Sequence, residues 1–135
     1  MTKNPSPSAP SEGRPVWFLN RSVLVVRPLQ PFVDWVLSLD DEGSVEAEDV
    51  WESVNSFLVP EFEDPGETLG WVHANVEIVF EVMLNDWVMD SAHWPEDRSW
   101  STFEQWFEIE YIDLAWDLVD EPLSSDPPMI EGHEA

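Results

Sequence analysis

Between Val16 and Glu121 the spacing of apolar positions changes several times, and each change marks an element. Ser22 to Arg27 (SVLVVR) is short, β-branched and closed by Pro28, the pattern of a buried strand. Pro31 then suits the first turn of a helix, with Phe32, Val33, Val36 and Leu39 on one side and Asp40-Asp41-Glu42-Gly43 at its end. Ser44 is placed to cap a second helix in which Val50, Val54 and Phe57 line up. An apolar run from Ser56 to Val59, halted by Pro60, reads as another strand.

The longest periodic stretch begins at Asp64, Pro65 and Glu67, which supply an N-cap, a first-turn proline and an N3 acid. It predicts one helix from Pro65 to about Met89, with Leu69, Val72, Val76, Val79, Phe80, Met83 and Trp87 as its apolar stripe. Ala74, Ile78 and Val82 widen the stripe, so this helix is expected at the centre of the domain or under a partner, including a second copy in a homodimer. Ser101 and Glu104 form a capping box ahead of Phe103, Trp106 and Phe107. From Ile109 to Val119 apolar and acidic residues alternate as a strand requires, although Ile109, Ile112, Trp116 and Val119 also fit a helical face. The expected class is α+β, with two or three short strands packed against four helices, one of them long and central.

Composition then bounds the domain. All nine tryptophans and all seven phenylalanines lie between Val16 and Glu121, so one globular domain over residues 15–121 is expected, with a Pro/Ser-rich arm at 1–14 and an acidic, proline-containing tail at 122–135 left disordered. The N-terminal segment has no apolar run of the secretory kind, which points to the cytoplasm. Leu69 to Met89 is interrupted by His73, Asn75, Glu77, Glu81, Asn85 and Asp86, unlike a membrane span of ~20 apolar residues.

Charge is the strongest signal. The 135 residues carry 29 acids against 5 Lys plus Arg, a formal charge of −24. Residues 1–27 balance to +3, whereas residues 28–135 set 28 acids against Arg98 alone. Such a chain is repelled by nucleic-acid phosphates and by anionic membranes, so neither is an expected partner. The repulsion also predicts lower stability at low salt.

Catalytic chemistry finds little footing. With no cysteine there is no thiol nucleophile, thiolate metal site or disulfide. No G-x-S-x-G elbow, glycine-rich phosphate loop or D-x-D-x-D-G calcium loop occurs, and no cofactor is expected. Carboxylates are too numerous for spacing to single out an acid–base pair. The one metal-like spacing is His73, Glu77 and Glu81 along one helical face, with Asp90 and His93 further on, and its plainer reading is the solvated edge of an apolar helix.

Asn20 to Trp35 (NRSVLVVRPLQPFVDW) and Trp94 to Glu110 (WPEDRSWSTFEQWFEIE) are similar in style to small acidic bacterial proteins of uncharacterised function. The resemblance implies a bacterial, cytosolic, single-domain protein and carries no functional residue onto this chain.

Nine tryptophans exceed what a small core takes fully inside, so some are expected at the surface, where aromatic anchors among carboxylates suit a basic protein partner. The leading expectation is a non-enzymatic protein that occupies a basic site on such a partner, as a nucleic-acid mimic does. Asp40, Asp41, Glu42, Glu46, Glu48, Asp49 and Glu52 form the first candidate surface; Glu104, Glu108, Glu110, Asp113 and Asp117, extended by Asp120 and Glu121, form the second. Rival expectations are an immunity protein or antitoxin for a basic nuclease toxin, a metal-binding protein using His73, Glu77 and Glu81, and acidity as an adaptation to high salt.

Overall fold

A computed structural model of the chain describes residues 16–126. The arm at 1–14 and the last nine residues of the expected tail lie outside the described residues. The elements are β1 (Trp17–Phe18), β2 (Arg21–Pro28), α1 (Gln30–Ser38), α2 (Ala47–Trp51), β3 (Asn55–Pro60), α3 (Pro65–Ala74), α4 (Val76–Asn85), α5 (Trp100–Trp106), β4 (Phe107–Ile112) and β5 (Trp116–Asp117), with a 3₁₀ turn at Ser91–His93. The class is mixed α+β, with five helices and five short strands in two small sheets among the described residues, where fewer of each were expected.

β2 is the central strand of an antiparallel sheet ordered β3-β2-β4. Its alternation sends Leu24 and Val26 into the core, beside Val59 of β3 and Phe107 of β4. Helical residues Phe32, Val33, Val36, Val50, Val72, Val79, Phe80, Met83, Leu84 and Phe103 complete that core. Phe80 is its aromatic centre, with ring centroids 5.4 to 5.7 Å from Phe107, Trp106 and Phe103. Phe32 meets Phe107 at 4.9 Å and Trp35 at 5.8 Å, so the aromatic cluster continues onto α1.

The second sheet, β1 with β5, continues the β2–β4 ladder across a bulge. Val23 faces Ile112 and Phe18 faces Trp116, leaving residues 19–22 opposite the shorter 113–115. The extra residue locally breaks the pairing, as β-bulges do. The Leu19 amide nevertheless donates to the Ala115 carbonyl at 3.0 Å. The buried Ser22 hydroxyl lies 2.9 Å from the Tyr111 hydroxyl and 3.2 Å from the Asp113 carbonyl, which satisfies a polar group inside the sheet.

Pro65 to Met89 is not one helix. Asn75 leaves helical geometry at φ −115° and ψ 16°, and its side-chain amide donates to the Trp71 carbonyl at 2.8 Å. An asparagine side chain that bonds its own backbone competes with the helix ladder, and here it separates α3 from α4. The stripe divides accordingly: α4 buries Val76, Val79, Phe80, Glu81, Met83 and Leu84, whereas α3 buries only Thr68 and Val72 and leaves Leu69 exposed. Asp64 does cap α3, accepting from the Gly66 amide at 2.9 Å.

Two further expectations are corrected. Ser44 caps no helix, because its hydroxyl donates to Asp40; α2 starts at Ala47, and Val54 is exposed. α5 starts at Trp100, and Asp97 rather than Ser101 organises its entry, accepting from the Ser99 amide at 3.0 Å and the Thr102 hydroxyl at 2.7 Å. For the segment at 109–119 the strand reading holds in part: Ile109 to Ile112 lie in β4, which begins at Phe107, and Trp116 and Asp117 form β5. No helix among the described residues is long and apolar enough to cross a membrane.

Candidate partner-binding surface

The first acidic group occupies the corner between α1 and α2. Gly43, at φ +67°, takes the left-handed conformation that side-chain-bearing residues rarely adopt, and it closes a turn in which its amide donates to the Asp40 carbonyl. Asp40 itself is turned inward on this loop. Its carboxylate accepts the Val45 amide at 2.7 Å and the Ser44 hydroxyl at 3.3 Å. The Val45 bond above all, then those from Ser44, holds its pKa below the ordinary 3.8. Asp40 therefore builds the loop, while Asp41, Glu42, Glu46, Glu48, Asp49 and Glu52 are exposed around it. α2 is anchored by the fully buried Val50 and turns the neighbouring Trp51 to solvent.

The second acidic group follows α5, β4 and β5. Glu104, Glu108, Glu110 and Asp113 are exposed, and Asp117 is half-buried. Several have partners within the chain. Arg27 pairs with Glu110 at 2.9 Å, the Tyr111 hydroxyl donates to Asp113 at 3.3 Å, and the Val119 amide donates to Asp117 at 2.8 Å. Beyond β5, Asp117, Asp120 and Glu121 border a cleft of about 510 Å³ whose walls include Trp17, Leu19 and Leu123. The two groups lie on separate elements, each gathered within its own stretch of chain.

The metal-like line is taken apart by the break at Asn75, which leaves His73 on α3 and Glu77 and Glu81 on α4. His73 stacks on Trp100 with centroids 3.8 Å apart. Glu81 is buried, at 6% exposure, with its Oε2 3.3 Å from Arg98 Nε, and Glu77 lies 3.7 Å from the same guanidinium. Arg98 also donates to the Pro95 carbonyl at 2.7 Å and lies 6.0 Å from the Trp94 ring centroid. His93 is 3.6 Å from Asp90. Among the described residues no three His, Asp or Glu side chains gather as metal ligands.

The tryptophans divide by depth. None is fully buried; seven are half-buried against the core and loops, while Trp51 and Trp116 are exposed. Indole N–H groups hold the segment after α4: Trp94 donates to the Val88 carbonyl at 2.7 Å, Trp35 to the His93 carbonyl at 3.3 Å, and Trp87 to the Ser53 hydroxyl at 3.1 Å. Each of these three pairs an apolar ring with one polar anchor.

What sequence reasoning missed is the role of Arg98 as partner to a buried glutamate, and the openness of one side of the sheet. The second had a visible signal, because even-numbered residues from Glu108 to Leu118 are all exposed while Phe107, Ile109 and Tyr111 turn inward. Comparison of the chain with protein-family models, curated proteins and solved structures finds no match in any of the three.

Proposed function

We propose that this is a non-enzymatic binding protein whose acidic surface occupies a basic site on a partner protein, in the manner of a nucleic-acid mimic. The observation that carries this reading is the corner between α1 and α2. There six exposed carboxylates stand on a turn and a short helix with no Lys or Arg anywhere from Pro28 to Asp97 to neutralise them. Carboxylates displayed in this way steer a basic partner electrostatically and give association that falls as salt rises. An immunity protein or antitoxin for a basic nuclease toxin is the second reading. It is favoured by Trp51, an exposed aromatic anchor among Glu48, Asp49 and Glu52.

The test is to pass lysate of the source over the immobilised protein at low salt and elute with a NaCl gradient, with and without duplex DNA as competitor. One basic protein retained near stoichiometry and displaced by DNA is the expected result. Many basic proteins released together by modest salt would contradict specific occupation. Retention of one protein that DNA does not displace would favour the immunity reading over mimicry.

A further inference from the structure

The helices pack on the Leu24 and Val26 side of the three-stranded sheet, and on the other side Val25 is buried at its middle among its strand neighbours while residues around it are exposed. On the other side the register lines up Leu58 of β3, Val23 of β2 and Ile112 of β4 in one row. Leu58 is 55% exposed, and past the bulge Leu114, Trp116 and Leu118 are 50%, 55% and 53% exposed. Trp116 packs on Phe18 across β1–β5 at 5.2 Å, so the two exposed rings make one aromatic ledge. Exposed large hydrophobes on β3 and β4 and on the segment that follows through β5 are the kind of patch that soluble chains keep for an interaction site.

We infer that this open face docks a segment of the partner protein in which apolar side chains are flanked by Lys or Arg. The charge around the face selects that occupant. From Phe107 to Glu121 the chain carries six carboxylates and no base; of the two arginines on the facing strand, Arg27 is engaged with Glu110, and Arg21, at the far end beside Leu58, donates to the Asn20 carbonyl and leaves the carboxylates in excess. A second copy of this chain would bring a charge of −24 against another −24, so the face is complementary to a basic amphipathic segment and not to itself. Leucine, isoleucine and the Phe18–Trp116 ledge would contact the apolar side chains, while Glu108, on the same side of β4 as Ile112, meets the basic ones. The inference rests on the reading of a basic protein partner and adds which face recognises it and what, besides charge, is recognised.

Two short synthetic peptides of equal charge separate these ideas: one alternating valine with lysine, the other alternating glycine with lysine. Each is titrated by fluorescence anisotropy into the full chain and into the variants Trp116→Ser and Leu58→Ser, which lie on different strands and are both exposed. Folding of each variant is confirmed by circular dichroism. The valine peptide is expected to bind the parent about tenfold more tightly than the glycine peptide, and each variant to lose most of that preference. Equal binding of the two peptides to the parent would overturn the docking face while leaving the basic-partner reading intact. Failure of both peptides to bind would overturn both. A concentration-dependent dimer of the parent in sedimentation, lost in Trp116→Ser, would assign the face to a second copy and overturn the inference.

Discussion

The two sides of the β3-β2-β4 sheet are built from alternate residues of the same strands, yet they obey different rules. On the helix side, Leu24, Val26, Val59 and Phe107 are buried among Phe32, Phe80 and Phe103, with Ser22 satisfied by Tyr111 and Asp113. On the other side Leu58 and Ile112 remain in contact with water, interrupted by Arg27, Glu108 and Glu110. One face carries the stability of the domain. The other keeps apolar area exposed beside a surplus of negative charge, a combination that stability alone does not require.

The sharpest way to break this contrast is to truncate each side in turn. Phe80→Ala should cost about 3–5 kcal/mol in urea denaturation, because it removes a fully buried ring that meets three other aromatic side chains. Arg98→Ala should cost about 2 kcal/mol, below the full range for a buried pair because the arginine keeps a quarter of its side chain in water. That substitution removes the cation beside the buried Glu81, and its effect should shrink when Glu81→Gln is introduced as well.

Acid should produce a smaller, local loss. Asp40 and Asp97 are both held below the ordinary 3.8, Asp40 chiefly by the Val45 amide and Asp97 chiefly by the Ser99 side chain, then by Thr102 and the Ser99 amide. A carboxylate depressed in the fold stabilises it fully above the unfolded value and ceases to do so as pH falls through the folded value. Their contribution should therefore be present at about pH 5 and disappear below about 3.8. Urea midpoints measured across that window should flatten in the Asp40→Asn, Asp97→Asn double variant. Smallest of all, Leu58→Ser on the open face should move stability by no more than about 0.5 kcal/mol, since its side chain is already largely in water. A loss near that of Phe80→Ala would mean that the open face belongs to the core.

How much of this was legible depended on how local the determining physics is. β2, α1, β3 and the Asp64 cap follow from short-range signals, namely β-branching, prolines and a capping carboxylate, and all four stand in the structure. The break at Asn75 was not legible from periodicity, since the apolar stripe runs straight through it; it depends on one side-chain amide choosing the Trp71 carbonyl. Ser44 and Ser101 looked like caps because the motif is present, but the Ser44 hydroxyl donates to Asp40, and α5 already begins at Trp100, ahead of Ser101. The acidic groups could be marked from charge alone. Which carboxylates are engaged within the chain, as Asp40 with Val45, Glu110 with Arg27 and Glu81 with Arg98, required long-range or loop geometry. The open face lay between these cases: its alternation is written in residues 107–118, but only the packing shows that the helices gather on the Leu24 and Val26 side.

The most direct measurement is an NMR titration of the ¹⁵N-labelled chain with the alternating valine–lysine peptide. The largest amide shifts are expected on Phe18, Leu58, Ile112, Leu114 and Trp116, with the helix-side residues Leu24 and Val26 little changed. Shifts confined to Asp41 through Glu52, or spread evenly over every acidic segment while the ladder stays still, would contradict docking on the open face.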